Sequence, residues 1–122
     1  MTRKQFEKLV AEAVSALPDE FLAHLGNVDI VVEDFPGPDI IEMEELESPY
    51  DLLGYFEGVP LTERESRSEP LLPDRITIFQ VPIESIATSR AELVEEIQKT
   101  VVHEVAHFFG LDEERISELG WD

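Results

Sequence analysis

The chain contains no cysteine, which excludes disulfides and thiolate ligands and leaves histidine and carboxylates as the groups that would hold any metal. It also lacks an apolar run approaching the roughly 18 residues of a membrane span, and Met1-Thr2-Arg3-Lys4-Gln5-Phe6-Glu7 turns amphipathic too early for a signal peptide. A cytoplasmic location without membrane association is therefore expected. Cations are scarce: 9 Lys and Arg stand against 28 Asp and Glu, a net charge of −19. A surface of that sign repels phosphate backbones, so no nucleic-acid partner is expected, whereas cationic peptides, basic proteins and divalent metals are attracted. The same charge also serves simply as a solubilising face. With 122 residues and no internal repeat, the chain reads as one domain, 1–122, long enough to bury a core.

What is present is an alternation of helical and strand patterns. Thr2-Arg3-Lys4-Gln5 has the form of a capping box, and Phe6, Leu9, Val10, Ala13, Val14 and Leu17 keep a three-four spacing, which predicts a helix from about Thr2 to Ala16 ended by Pro18. Val28 to Glu33 is a β-branched run and predicts the first strand. Phe35-Pro36-Gly37-Pro38 forces a turn, after which Asp39 to Glu47 has room for a short acidic helix. Leu53 to Gly58 predicts a second strand, Pro60 to Pro73 a loop without apolar period, and Asp74 to Val81 a third strand ended by Pro82. Ile83 to Ala87 suits a helical turn. Ser89-Arg90-Ala91-Glu92 then reads as the capping box of a long helix whose buried side is Leu93, Val94, Ile97, Val101, Val105 and Phe109. A last short helix starting at Asp112 or Ser117 would pack Ile116, Leu119 and Trp121 against the core.

The C-terminal half of the long helix carries the chemistry. His103-Glu104-Val105-Ala106-His107 places two imidazoles four residues apart, one turn along the same face, where their ring nitrogens can meet at one point. Two such nitrogens form two corners of a tetrahedral zinc site. Glu104 is rotated about a third of a turn from His103, a position suited to a general base acting on a zinc-bound water. Val101, Val102, Val105, Ala106 and Phe109 make the surroundings apolar. Read blandly, both histidines are core residues bonded to carbonyls and Glu104 is a solvated edge, but that leaves the joint spacing of all three unexplained.

Gly110 stands where a helix ends in a left-handed residue and the chain turns back. The pattern His-Glu-x-x-His-x-x-Gly-x-x-Glu is then complete with Glu113 as third ligand, Asp112 and Glu118 being the alternatives, and the fourth position left to water. His24 reads as a surface residue. Tyr55 has two readings, a phenol donor toward a developing oxyanion or half-buried strand packing, and Arg75 likewise stands between an oxyanion contact and a salt link to a nearby carboxylate.

Residues 89 to 121, above all His103-Glu104-Val105-Ala106-His107-Phe108-Phe109-Gly110 and the Gly120-Trp121 ending, resemble the small bacterial zincin-like metallopeptidases sometimes called minimal zincins. Asn27-Val28-Asp29-Ile30-Val31-Val32-Glu33 and Leu53-Gly54-Tyr55-Phe56-Glu57-Gly58-Val59-Pro60-Leu61-Thr62 extend the similarity over most of the chain. The resemblance implies a minimal zincin-like α+β fold: an N-terminal helix, a small mixed sheet of about three strands, the motif helix and a short final helix. It implies a Zn2+ ion on the two histidines and an acidic third ligand, and a peptide or protein substrate whose bond is hydrolysed by a zinc-bound water that Glu104 activates. In such folds an edge strand beside the motif helix pairs with an extended peptide, a role open to Asp74–Val81 or its neighbour. Only nine residues follow Glu113 and none is methionine, which departs from the methionine turn of metzincins and leaves no room for a distant ligand of the thermolysin kind. The alternative function is a non-catalytic metal-binding acidic domain that holds a basic partner protein.

Overall fold

Thr2 opens the first helix, α1 (Arg3–Ser15), through a complete capping box: its hydroxyl accepts from Gln5 N at 3.1 Å and the Gln5 side-chain oxygen accepts from Thr2 N at 2.9 Å. The computed structural model describes residues 1–60 and 74–120, so most of the expected loop Pro60–Pro73 and the expected packing of Trp121 lie outside the described residues. After α1 come a single turn α2 (Asp19–Leu22), β1 (Val28–Glu33), α3 (Pro38–Met43), a 3-10 turn at Pro49–Asp51, β2 (Gly54–Glu57), β3 (Asp74–Phe79), α4 (Gln80–Ile86), α5 (Arg90–Phe108) and α6 (Glu113–Glu118). The fold is α+β, and the described residues form one three-stranded mixed sheet in the order β1-β3-β2. β1 runs parallel to β3, from Val28 opposite Asp74 to Glu33 opposite Phe79, and β2 runs antiparallel to it, with Tyr55 opposite Thr77.

One face of the sheet buries Val32, Ile76 and Ile78 against Phe6, Leu9, Val10 and Ala13 of α1 and Leu93, Ile97, Val101, Val105 and Phe108 of α5. This common core holds the motif helix against the sheet. The buried positions 97, 101, 104 and 108 follow the 3.6-residue turn, so Phe108 rather than Phe109 becomes the buried aromatic; Phe109 lies half-buried, edge-on to Phe21 and His24. Arg3 ties the start of α1 to the C-terminal end of the sheet, donating to Val32 O at 2.9 Å, to Gln80 Oε1 at 2.8 Å and to the Asp34 carboxylate.

Two expectations change, and the edge left open between two strands is decided. The third strand stops at Phe79 and Gln80 begins a helix, so Pro82 lies inside the first turn of α4; the first four N–H groups of a helix have no partner within it, and a proline there removes nothing. This strand is central, and its neighbour β2 is the edge beside α5 among the described residues. Ser89 caps α5 by accepting from Glu92 N, but the Glu92 carboxylate takes the Thr88 hydroxyl instead of closing the reciprocal box. Among the described residues, no helix is long and apolar enough to cross a membrane.

Candidate metal centre

The end of α5 assembles the site from a few consecutive residues. Gly110 has φ +90°, a left-handed backbone that suits glycine. Its N–H donates to His107 O at 2.9 Å and that of Leu111 donates to Ala106 O at 3.1 Å, the paired bonds of a Schellman turn. The chain is thereby folded back across the last turn of α5. Asp112 then caps α6 by accepting from Arg115 N at 2.8 Å, which sets Glu113 at the first helical position.

Glu113 Oε1 lies 3.0 Å from His103 Nε2 and 2.7 Å from His107 Nε2, and the two ring nitrogens are 3.2 Å apart. One ligand atom from each of His103, His107 and Glu113 falls within 4.8 Å of the others, a group that could hold a metal ion. The remaining acidic candidates are engaged elsewhere: Asp112 in its cap and Glu118 with Arg115 Nη1 at 3.1 Å. His24, exposed, packs on Phe109 and is outside the cluster.

The protonation chemistry of the cluster fits a cation. His107 Nδ1 meets the Leu111 carbonyl, 3.1 Å away, which can only accept; the ring proton is therefore on Nδ1. In the neutral ring Nε2 is then a lone pair, directed at a carboxylate oxygen 2.7 Å away. Two acceptors at that separation repel unless a proton or a metal ion lies between them. A carbonyl that fixes the tautomer of a histidine is also the usual outer support of a metal ligand.

Glu104 is set apart from this group. It is 6% exposed, on the side of α5 that meets β2. The Phe79 N–H donates to Leu53 O at 2.9 Å, so alternation along the antiparallel pair turns the backbone groups of Gly54 and Phe56 outward. The Phe56 N–H donates to the Glu104 carboxylate. Burial, then the carboxylates of Glu113 and Glu44, push the Glu104 carboxyl up to about 8 despite that bond. Gly54 permits the close approach: a Cβ there would stand 2.7 Å from Thr100 Cγ2 and 3.1 Å from Glu104 Cγ.

Glu44, at the end of α3, is the neighbour that the sequence did not disclose. Its carboxylate accepts from the Tyr55 phenol and acts on Glu104, a contact made between distant segments with no motif to mark it. Burial and Glu44 raise the Tyr55 hydroxyl, which also lies 3.5 Å from Met43 Sδ. The phenol is thus engaged with α3. Arg75 lies across from Glu57 in the strand register, exposed and away from the histidines.

A solved structure similar to this one is that of a conserved hypothetical protein from Thermo thermophilus, with 23% sequence identity, a TM-score of 0.59, and 99% of this chain and 100% of that chain covered; the likeness is one of fold. No curated protein matches the chain. Residues 25–121 match the family described as zincin-like metallopeptidase. This match spans the sheet, α5 and the returning α6, and the chain belongs to the zincin-like metallopeptidase family.

Proposed function

We propose that the protein is a zinc-dependent peptidase in which His103, His107 and Glu113 hold the ion and Glu104 is the general base. The observation that carries this reading is the convergence of two imidazole nitrogens and one carboxylate oxygen beside a buried glutamate that is not part of the group. When bound, zinc supplies Lewis acidity toward a peptide carbonyl, lowers the pKa of water toward about 7, and adds a positive charge that favours the ionised form of Glu104.

The chain's own residues do the rest. Glu104 accepts the proton of the attacking water and delivers it to the leaving amine. The Phe56 N–H orients its carboxylate, and the apolar packing of Val101, Val105 and Phe108 limits competing water. As the edge strand beside α5, β2 is where an extended peptide would add. The acidic surface steers cationic segments toward it.

The test is cleavage of a diverse peptide library by the zinc-loaded protein and by Glu104→Gln. Loss of cleavage by two or more orders of magnitude in the variant, with zinc still bound, is expected. Equal turnover removes Glu104 from the mechanism. An absence of cleavage by the zinc-loaded wild type on every peptide favours the non-catalytic acidic module.

A further inference from the structure

Beside His103, α5 and the segment entering β2 enclose an open cleft of about 310 Å³ whose walls include Leu52, Leu53, Gly54, Thr100 and Glu104. Its size is at the small end of ligand sites, appropriate to one side chain rather than a whole small molecule. The polar groups on its walls are occupied. The Thr100 hydroxyl donates to Glu96 O at 2.8 Å, while its methyl faces Gly54. Lys99 Nζ lies 3.9 Å from Glu96 and 3.6 Å from Glu95, so the cation at the rim is already paired with two carboxylates. Glu104 is turned to the Phe56 N–H. What remains open is an apolar surface made by the half-buried Leu52 and Leu53, ending at the His103 ring.

We propose that this cleft is a specificity subsite that receives an apolar side chain of the substrate, adjacent to the reacting bond, and that Leu52 and Leu53 select it. The inference rests on the peptidase reading above and names what that site prefers. It runs against the bulk charge: a net charge of −19 would by itself favour a basic side chain at every position. A lysine or glutamate laid against Leu52 and Leu53 would give up water for side chains already engaged, Lys99 with Glu96 and Glu104 with the Phe56 N–H, whereas a leucine, methionine or phenylalanine would bury its hydrocarbon there. The acidic surface attracts the substrate, and the cleft chooses which bond is presented.

The test is calorimetric binding of peptide hydroxamates to the zinc-loaded protein. Leu, Met, Phe, Lys or Glu stands next to the chelating group, which is built at either end of the peptide, and acetohydroxamate serves as the side-chain-free reference. Apolar members of one series are expected to bind about tenfold tighter than the Lys and Glu members. Leu52→Lys, and more mildly Leu52→Ala, are expected to shrink that preference while leaving acetohydroxamate binding and zinc stoichiometry unchanged. Acetohydroxamate bound normally with a flat series, or with Lys preferred, overturns the subsite and leaves the metal centre standing. Failure of acetohydroxamate itself to bind overturns both readings.

Discussion

Gly54 and Thr100 touch so closely that β2 and α5 meet without a side chain between them: a Cβ on Gly54 would come within 2.7 Å of the Thr100 methyl carbon and 3.3 Å of Thr77 O. That contact brings the Phe56 N–H within reach of Glu104. Thr100 is buried and its hydroxyl is bonded to Glu96 O, so it has little freedom to retreat. Gly54→Ala is expected to destabilise the protein by about 1–3 kcal/mol, the usual range for overpacking. Chemical denaturation measures it, and a change below about 0.5 kcal/mol would show that the helix and strand separate freely.

The turn that returns the chain to the histidines depends on one left-handed residue. Gly110→Ala places a Cβ at φ +90°, which costs about 1–2 kcal/mol. Because the same turn positions both Leu111 O and Glu113, the variant is expected to lose zinc affinity beyond its loss of stability. Zinc titration of the folded variant distinguishes this from simple destabilisation: unchanged affinity would mean that Glu113 reaches the histidines without the Schellman turn.

In the metal-free protein Glu104 imposes a pH dependence of definite sign. Its carboxyl is raised from 4.5 to about 8 in the folded chain, so between those values the folded state holds more protons than the unfolded one. Its contribution is fully present below about pH 4.5 and is lost as pH rises through about 8. Glu113 has the opposite sign: burial raises it, but bonds from His103 and His107 outweigh that and lower it, so its contribution is lost as pH falls. Stability in a chelator is therefore expected to decline from pH 5 to 8 by up to roughly 1.4 kcal/mol per unit. Glu104→Gln flattens the decline. A wild-type profile that rises over this interval would contradict the burial of an ionisable group at this position.

Zinc is expected to raise the melting temperature in a concentration-dependent way, as any ligand of the folded state does. His103→Ala and His107→Ala should each abolish the rise, while Asp112→Asn, whose side chain still caps a helix, should retain it. Melting curves with and without zinc measure the set. Loss of the effect in Asp112→Asn would move the third ligand from Glu113 to Asp112.

The histidines, Gly110 and Glu113 were legible because everything that joins them is local: one helical turn, one left-handed residue, one short return. The strand β1 and the cap at Thr2 were legible for the same reason. Gly54 was visible as a residue but not as a contact, since its role exists only once β2 lies against Thr100. Glu44 was hidden in an acidic stretch where its neighbours Glu42, Glu45 and Glu47 look the same. Pro82 suggested an end, and only the helix position that tolerates it made it a beginning. The order β1-β3-β2, which makes the last strand central, is a property of pairing between segments and leaves no mark in any one of them.

An anomalous-scattering map recorded at the zinc edge, from crystals of the zinc-loaded protein, locates the ion itself. One peak is expected within bonding distance of His103 Nε2, His107 Nε2 and a Glu113 carboxylate oxygen, with Glu104 outside the coordination sphere. A peak elsewhere, or one that includes Glu104 and omits Glu113, would contradict this ligand set.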